Sequence, residues 1–410
     1  MNGKGRTELR NLGRNDGILK RLAQFQFRNP VSNSVIPSKF FALIFLTACV
    51  SAFAIQLPDG FSVETVCEGI DGAVTMDLAR DGRIFICEQT GALRVVKDGA
   101  LLAEPFVRIA VDDYWERGLV GVALHPKFPE TPFVYVHYVR AQPFPHHVIS
   151  RFTADGDRAK ADSELVLLEG GNMDEHIGNF RGAHQGGAMR FGADGKLYVT
   201  IGEHTSRDPA QSLDLLFGKL LRLNDDGSIP ADNPFLAQTT GINRAIYARG
   251  LRNPFGLAVQ PGTGRMFIND VGQELFEEID EAVPGANYGW PIAEGLANNR
   301  PEFTKPLHTY NRTEGVCISG GVFYSPVKPQ FPAEYVGKYF FADFTTRWIR
   351  TLNPANPEKA APFAQRVAGI VDLAVTPDGA LLVLVRNTYV HDDKYQPKSG
   401  ALLRIRYTGG

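Results

Sequence analysis

The sequence lacks the features that mark several common protein classes. Only four of its 410 residues are cysteines, and neither CxxC nor CxxCH occurs, which excludes a zinc ribbon and a covalently attached c-type haem. The 43 Lys and Arg residues are balanced by 45 Asp and Glu residues, for a formal charge of −2. Without a basic surplus we expect no nucleic-acid partner.

Compact catalytic motifs are absent as well. The chain has no GxSxG nucleophile elbow, no HExxH zinc motif, no P-loop and no dinucleotide-binding GxGxxG. Long helical periodicity is also missing, and a helix or helical turn is predicted only for residues 208–223. Any active site must therefore be assembled from residues that lie far apart in the sequence.

The N-terminal segment has the composition of an export signal. Residues 1–54 carry eight Lys or Arg and two acids, whereas 35 basic and 43 acidic residues follow Ala54. Lys39 precedes an apolar run and then Ala52-Phe53-Ala54, the pattern of a signal-peptide cleavage site. An apolar run of about ten residues is too short for a transmembrane helix, which needs roughly 20. We predict a signal segment at 1–54, no transmembrane span, and a periplasmic or extracellular location.

A second processing pattern lies inside this segment. Leu46-Thr47-Ala48-Cys49 resembles a bacterial lipobox, whose cysteine is acylated after cleavage. Soluble export is favoured, and a lipid anchor at Cys49 stays open as the alternative. The three later cysteines are an odd number and allow at most one disulfide. One of them, Cys87, lies in an apolar run and is predicted to be a packed core thiol.

Short apolar runs separated by turns fill the rest of the chain. They are rich in β-branched and aromatic residues and often follow an Asp-Gly pair, as at Asp194-Gly195. The pattern begins six times, near Asp81, Pro132, Asp194, Gly262, Gly337 and Asp378. Spacings of roughly 40 to 70 residues suit blades with long insertions. We predict an all-β, six-bladed β-propeller of four-stranded antiparallel blades, in a single domain over 55–410. A two-sheet sandwich suits this length poorly.

Two loops carry more glycine and polar groups than a turn requires. Residues 181–187 read RGAHQGG, in which glycines let the backbone approach a ligand and His184 is a candidate general base. Residues 249–256 read RGLRNPFG and place the guanidinium of Arg252 beside the amide of Asn253. Such a pair can hold a planar anionic or quinonoid ligand. An exposed turn histidine and a surface arginine remain the alternatives.

A third loop is acidic. Residues 267–291 contain several carboxylates near Gly272, and hard oxygen ligands of this kind suit calcium. The acids are Asp270, Glu274, Glu277, Glu278 and Asp280. EF-hand spacing is absent, so an acidic solvated loop is the alternative. We expect the pair His146-His147 to be exposed loop residues.

Taken together, these loops resemble the glucose/sorbosone dehydrogenase family of soluble six-bladed propeller enzymes, which use pyrroloquinoline quinone (PQQ). The resemblance covers about 350 residues in the same order. Its longest segments are ERGLVGVALHPKF at 116–128, AHQGGAMRFGADGKLYVTIGE at 183–203, FGKLLRLNDDGSIPADNPF at 217–235, YARGLRNPFGLA at 247–258 and EEIDEAVPGANYGWP at 277–291.

The resemblance implies roles for individual residues. His184 corresponds to the base that takes the proton of the sugar's anomeric hydroxyl as hydride passes to the quinone. Arg252 and Asn253 correspond to the pair that holds the quinone oxygens, and Glu116 stands where the sugar dehydrogenases have a cofactor-contacting Gln. The active-site calcium, a Lewis acid on the quinone, corresponds to a site formed by the backbone carbonyls of Gly272 and Gln273.

Three departures weaken the expected cofactor site. A cofactor-contacting Lys of the family has no counterpart, since Thr345 or Thr346 stands near its position. Two Arg residues that clamp the carboxylates of PQQ are replaced within 369–372, which reads GIVD. Each lost charged hydrogen bond costs about 1.5–3 kcal/mol. Arg347 and Arg350 are candidate substitutes.

Three hypotheses follow for function. The first is an exported PQQ- and calcium-dependent oxidoreductase that oxidises an aldose sugar or related alcohol and passes electrons to a separate acceptor. The second is a non-catalytic propeller that binds a glycan or a protein partner. The third is another enzyme on the same scaffold, such as a calcium-dependent hydrolase or lactonase.

Overall fold

The computed structural model of the protein describes residues 54–176, 178–296, 300–386 and 397–409. Nearly all of the predicted signal segment, including Cys49, therefore lies outside the described residues. The described chain contains strands and four short 3-10 helices, and no α-helix occurs in it. These 3-10 helices are Met173–His176, Asp208–Ala210, Gly241–Ala245 and Ala333–Tyr335.

The strands form six antiparallel sheets, as the sequence predicted. We number the sheets blade 1 to blade 6 in chain order, and the N-terminal strand β1 (Phe61–Ile70) belongs to blade 6.

Blade 1 contains β2 (Ala73–Leu78), β3 (Ile84–Glu88), β4 (Ala92–Lys97), β5 (Ala100–Leu101) and β6 (Val107–Arg108). Blade 2 contains β7 (Leu119–Leu124), β8 (Phe133–Arg140), β9 (His146–Asp155), β10 (Arg158–Ala159) and β11 (Leu165–Glu169). Blade 3 contains β12 (Gly186–Phe191), β13 (Leu197–Ile201), β14 (Lys219–Leu223) and β15 (Ile246–Arg249).

Blade 4 contains β16 (Pro254–Val259), β17 (Met266–Asp270), β18 (Phe276–Glu281) and β19 (His308–Asn311). Blade 5 contains β20 (Ile318–Phe323), β21 (Tyr339–Asp343), β22 (Trp348–Asn353) and β23 (Asn356–Gln365). Blade 6 contains β24 (Ile370–Val375), β25 (Leu381–Arg386), β26 (Gly400–Tyr407) and β1.

The first strands of the blades surround a central axis. β2, β7, β12, β16, β20 and β24 each contact the first strands of both neighbouring blades, which closes a ring of six. The ring is sealed in blade 6, where β1 from the beginning of the domain pairs with β26 from its end, with Phe61 opposite Tyr407. Closure of this kind leaves only short blade edges exposed to unwanted strand pairing.

The hydrophobic core is divided among the six spaces between neighbouring blades. One buried cluster fills each space, for instance Phe85 of blade 1 with Val122 of blade 2. Each sheet is therefore apolar on both faces, and strands such as Ile84–Glu88 and Leu119–Leu124 are buried along their whole length. This explains why the strands read in the sequence as continuous apolar runs rather than alternating patterns.

Every first strand is bulged near the end at which it begins. The register with the second strand shifts between Ala73 and Met76, Leu119 and Gly121, Gly186 and Met189, Pro254 and Gly256, Ile318 and Gly321, and Ile370 and Asp372. Bulges bend a strand and redirect its side chains, and they are common beside active sites. All six lie at the same end of the channel.

The predicted helix at 208–223 is wrong. Only Asp208–Ala210 forms a 3-10 turn, and Lys219–Leu223 is the central strand β14, buried at every position. Gly218 separates the two with φ +68°, and a Cβ there would lie 2.5 Å from the carbonyl oxygen of Leu251. The apolar residues of this segment pack on both faces of blade 3, so tertiary packing overrides their local preference for helix.

The described cysteines form no disulfide. Cys67, Cys87 and Cys317 are free, and Cys87 is fully buried in the blade 1–blade 2 core, as predicted. Among the described residues, no helix has both the length and the apolar character needed to cross a bilayer.

We expect Phe61→Ala to destabilise the closed ring. The Phe61 ring packs edge-to-face against Phe331, Phe363 and Tyr407, with centroids 4.7, 5.2 and 5.0 Å away. Loss of a packed Phe side chain lowers the free energy of unfolding by about 3 kcal/mol, so the thermal midpoint should fall by several degrees. Val63→Ala in the same strand, at a 36% exposed position, is the control, and equal midpoints for the two variants would contradict this account.

Candidate active site

The candidate site lies at one end of the propeller because neighbouring strands in a blade are antiparallel. Residues just before a first strand and just after a second strand therefore meet at the same end of the channel. Glu116, His184 and the Arg252-Asn253 pair precede first strands, whereas Glu203 and Gly272 follow second strands. The same geometry gathers Gln89, after β3, and Arg386, the last residue of β25.

A cavity of about 130 Å³ opens at this end of the channel. Every blade contributes to its wall, through Val74, Val120, Gly186, Phe255, Ser319 and Val371 of the six first strands. The polar residues on the wall include Gln89, Glu116, Gln185, Asn253 and Arg386. The cavity is therefore centred on the axis and mixes polar groups with an apolar floor.

His184 is held by two carboxylates. Its Nδ1 lies 2.6 Å from Oε1 of Glu203, and its backbone N–H donates to Oε2 of Glu116 over 2.7 Å. Glu203 is fully buried, whereas 15% of the His184 side chain is exposed. Because an ionised carboxylate only accepts hydrogen bonds, Nδ1 carries the proton and Nε2 is the basic nitrogen. The imidazole can therefore accept a proton while Glu203 stabilises the resulting positive charge.

Glu203 also connects the His184 loop to the arginine loop. Its backbone N–H donates to the carbonyl of Arg252 over 2.9 Å, and its carboxylate accepts the backbone N–H of Arg207. Sequence reasoning missed Glu203, although it follows the buried strand Leu197–Ile201 by two residues. The available signal was an acidic residue just after a strand that pairs with the strand following the candidate histidine.

Arg252 and Asn253 are fixed by the buried carboxylate of Asp270. Its two oxygens accept the backbone N–H groups of Arg252 and Asn253, over 2.9 and 2.7 Å. Oδ1 of Asn253 accepts the backbone N–H of Gly186 over 3.0 Å, which joins the pair to the His184 loop. The Arg252 guanidinium donates to the carbonyl of Val271 over 2.8 Å, and burial lowers its pKa. These contacts exclude a simple surface turn.

The predicted site residues occupy different places around the cavity. Glu116 and Asn253 lie on its wall. His184 and Arg252 are not among the described residues that line the cavity, but His184 donates its backbone N–H to Glu116, and Arg252 directly precedes Asn253 in the chain. Gly272 follows the wall residue Val271, and a Cβ at this position would lie 1.6 Å from the carbonyl oxygen of Phe276. The Gln273 side chain is exposed and is not part of the wall, with its oxygen 3.4 Å from Nη1 of Arg207.

Four of the five acids of the third loop are buried rather than solvated, and Glu277 is one of them. Asp270, Glu278 and Asp280 share one face of the β17–β18 pair, where Asp270 is opposite Glu278. Burial and mutual repulsion raise the pKa of Glu278 to about 8 and the pKa of Asp280 well above its usual value. Neither carboxylate oxygen of Asp280 has a hydrogen-bond partner among the described residues.

These oxygens fit a hard divalent cation such as calcium, which would compensate their buried charge. Within the described ranges, however, no three His, Cys, Asp or Glu side chains are arranged to hold a metal by themselves. Backbone carbonyls, such as those expected at Gly272 and Gln273, would have to complete the ligand set. Because Asp280 lies opposite Ile268, four residues before Gly272, only Asp270 and Glu278 lie at that end of the strand pair.

The departures noted in the sequence have structural counterparts. The backbone N–H groups of Thr345 and Thr346 donate to Asp343, over 3.0 and 2.7 Å, and neither threonine lies on the cavity wall. Arg350 pairs with Glu314 over 2.7 Å and does not reach the cavity, and neither does Arg347.

Two wall residues were missed in the sequence. Nη1 of Arg386 donates to Oε1 of Gln89 over 3.0 Å, and both side chains line the cavity. Both residues lie at the ends of second strands, which was the available signal. Nothing local in the sequence connects two positions that are 297 residues apart.

A chain of three buried histidines lies behind the His184 loop. Nε2 of His137 is 2.8 Å from Nδ1 of His147, and Nε2 of His147 is 3.0 Å from Nε2 of His204. The expectation that His146-His147 is an exposed pair is wrong, since both residues are buried in strand β9. Burial lowers the pKa of His137 to about 4 and the pKa values of His147 and His204 well below the usual value.

Comparison with known proteins supports an enzymatic function for this site. The family model described as Glucose / Sorbosone dehydrogenase matches residues 70–391. Aldose sugar dehydrogenase YliI of Escherichia coli is 28% identical over 386 residues, which cover 87% of this chain and 96% of that protein. Quinoprotein glucose dehydrogenase B of Acinetobacter calcoaceticus is 28% identical over 334 residues, covering 72% of this chain and 66% of that protein.

A solved structure has the same fold over nearly its whole length. It is a Thermus thermophilus protein that bears the name "putative oxidoreductase (glucose dehydrogenase)"; it is 30% identical, with a TM-score of 0.69, and the match covers 84% of this chain and 99% of that one. Human Hedgehog-interacting protein also matches, with 28% identity over 223 residues, but the match covers 48% of this chain and 32% of that protein.

We expect His147→Gln to change how stability depends on pH. Unfolded histidine binds a proton near pH 6.5, whereas the buried histidine binds one only at lower pH, so the wild type loses stability on acidification below about pH 6.5. The variant is less stable at pH 8 because it lacks two hydrogen bonds, and this deficit should shrink by about 2 kcal/mol at pH 5.

Chemical denaturation of both proteins at pH 8, 6.5 and 5 measures this deficit. Buried acids with raised pKa values, such as Asp270 and Glu278, stabilise the fold on acidification in both proteins, so their contribution cancels in the difference. A deficit that does not change with pH would contradict the neutral histidine chain.

Proposed function

The chain belongs to the glucose/sorbosone dehydrogenase family, and on that premise we propose that it is an exported oxidoreductase, dependent on PQQ and calcium, that oxidises an aldose sugar or a related alcohol. The observation that carries this proposal is the pairing of His184 with the buried carboxylate of Glu203, beside Arg252 and Asn253 at an axial cavity. A separate acceptor would then receive the electrons, because the chain has no haem attachment motif.

The proposed chemistry divides proton and hydride between two groups. Nε2 of His184 takes the proton of the anomeric hydroxyl, and Glu203 holds the imidazole in place and stabilises its positive form. PQQ, when bound, supplies the acceptor for the hydride that leaves the same sugar carbon. Arg252 and Asn253 would face the oxygens on which negative charge develops, where preorganised donors are most effective. Glu116 positions the His184 backbone and would contact the cofactor.

We propose that calcium binds beside this pair. The carbonyls of Gly272 and Gln273 would hold it next to the cavity, where the buried carboxylates of Asp270 and Glu278 favour a cation. The signal segment at 1–54 and a lipid anchor at Cys49 stay predictions, as does a periplasmic or extracellular location.

A non-catalytic propeller that binds a glycan or protein is the second candidate. The partial match to Hedgehog-interacting protein and the absence of basic residues at 369–372 favour it.

A direct test is titration of the purified apo-protein with PQQ and calcium, followed by dye reduction with aldoses. Absence of both PQQ binding at micromolar concentration and turnover would favour this second function.

Under the proposal, His184→Asn should lower kcat for aldose oxidation by about 10²–10⁴-fold, the usual contribution of a general base. Glu203→Gln should also lower kcat, because a neutral amide does not stabilise the imidazolium. Dye-coupled steady-state kinetics measure both effects, with thermal melting as the folding check. His125→Asn, at the opposite end of strand β7 from Glu116, is the control, and full activity of His184→Asn would overturn its role as base.

Calcium should stabilise the protein more at pH 8 than at pH 5.5. Binding must release the protons that the raised pKa values of Asp270 and Glu278 keep on the apo-protein at low pH. Thermal melting with calcium or with EGTA at both pH values measures the effect. Glu278→Gln, which removes the carboxylate opposite Asp270, should weaken calcium affinity by about tenfold or more, whereas Glu274→Gln, an exposed acid of the same loop, should not. If the two variants bind calcium with equal affinity, the proposed position of the cation is wrong.

A further inference from the structure

One carboxylate fixes the loop that carries the expected calcium ligands. Oε1 of Glu294 accepts the backbone N–H groups of four consecutive residues, over 2.8, 2.9, 2.9 and 3.2 Å, and these residues are Gln273, Glu274, Leu275 and Phe276. The Glu294 side chain is 12% exposed. Successive N–H groups that converge on one point form a concave anion site, and hydrogen bonds to a carboxylate are stronger than those to a neutral acceptor. Glu294 therefore holds this loop from one side.

The direction of these N–H groups determines where the carbonyls of the loop point. In a planar trans peptide, the N–H of one residue is antiparallel to the carbonyl of the residue before it. Since the N–H groups of Gln273 and Glu274 point to Glu294, the carbonyls of Gly272 and Gln273 point away from it. The carbonyls of Glu274 and Leu275 point away from it for the same reason. The loop thus directs four carbonyl oxygens to the side opposite the carboxylate, and carbonyl oxygens are ligands that suit calcium.

These four carbonyls are available to a ligand. No described residue donates a hydrogen bond to the carbonyl oxygens of residues 272–275. A buried or half-buried carbonyl without a partner favours a cation, because the cation replaces the missing hydrogen-bond donor.

Glu294 is itself held in place. The backbone N–H of the next residue, Gly295, donates to Oε1 of Glu278. Gly295 has φ +62°, and a Cβ there would lie 2.4 Å from Cδ2 of Phe276, so glycine lets this segment approach the loop closely. Nη2 of Arg312 lies 3.6 Å from Oε1 of Glu294. The carboxylate therefore has a defined position relative to the N–H groups that it accepts.

We propose that Glu294 is the positioning residue of the cation loop, which we define as residues 272–276. It directs the carbonyls of Gly272 and Gln273 towards a divalent cation, and its negative charge adds to the attraction. This rests on the proposed function, which places calcium at these two carbonyls. Ligands that are already arranged bind more tightly, because the loop does not have to be ordered when the cation binds.

The first experiment is a calorimetric titration of the purified protein with calcium, without PQQ and again with PQQ in excess. Affinities are compared in each condition in which the wild type binds calcium. Glu294→Ala removes both the acceptor and the charge, so it should weaken calcium affinity by about ten- to a hundredfold. Glu294→Gln keeps an oxygen for the N–H groups and loses the charge, so its affinity should fall between those of the wild type and Glu294→Ala.

Glu302→Gln is the matched control for this titration. Glu302 is an exposed acid in the same connection between β18 and β19, and it pairs with Arg300 over 2.5 Å. This variant should bind calcium as the wild type does. Equal weakening in Glu294→Gln and Glu294→Ala would show that Glu294 acts through its charge alone, which overturns the positioning role.

The second experiment, amide hydrogen exchange of the calcium-free protein, tests the positioning role without calcium. The N–H groups of residues 273–276 should exchange slowly in the wild type, because they are hydrogen-bonded, and about tenfold faster or more in Glu294→Ala. Equal exchange rates in the two proteins would overturn the inference. Thermal melting checks the fold, and if Glu294→Ala melts far below the wild type, Glu294→Gln decides, with an affinity equal to that of the wild type counting against the inference.

The outcomes separate this inference from the proposed function. If calcium binding depends on Glu294 but the wild type neither binds PQQ nor oxidises aldoses, the oxidoreductase function fails and the role of Glu294 stands. If the wild type oxidises aldoses with PQQ but Glu294→Ala binds calcium with unchanged affinity, the role of Glu294 is overturned and the oxidoreductase function stands. A wild type that binds no calcium in either condition overturns the role of Glu294 together with the proposed calcium site.

Discussion

The close approach of six strands around one axis is the constraint on which the site depends. A Cβ at Gly121 would lie 2.2 Å from the carbonyl oxygen of Gly187 in the next blade, and a Cβ at Gly320 would lie 2.4 Å from Cα of Asp372. Side chains at these positions would push neighbouring blades apart. Since the cavity wall takes residues from all six first strands, its shape follows directly from this backbone packing.

Polar residues at the bulges and strand ends form the site at one end of the packed ring. A hydrogen-bonded network runs from Glu116 through His184 and Glu203 to Arg252 and Asp270, and it links the loops before blades 2, 3 and 4. Its carboxylates accept backbone N–H groups as well as a side-chain donor, which offsets part of the cost of burying them. A network satisfied in this way also holds its members in one geometry, as a catalytic pair requires.

Acidic and basic groups lie on different sides of the cavity. The base and its carboxylate partners lie on the blade 3 side, and the guanidinium of Arg386 lies on the blade 6 side. The family resemblance suggested a cavity deprived of cations, since 345–346 and 369–372 hold no basic residue. The structure shows a different arrangement, in which a guanidinium from the neighbouring strand occupies the wall above Gly369.

The sequence by itself determined the fold and the local members of the site. The six repeated turn-and-strand segments predicted the six blades, because sheets buried on both faces need continuous apolar runs. His184 and the Arg252-Asn253 pair stood out because glycine and proline mark their loops. The tertiary structure alone decided that residues 208–223 form a turn and a strand, that His147 is buried, and that Gln89 meets Arg386. Partners 297 residues apart leave no local pattern, since their contact arises only when the ring closes.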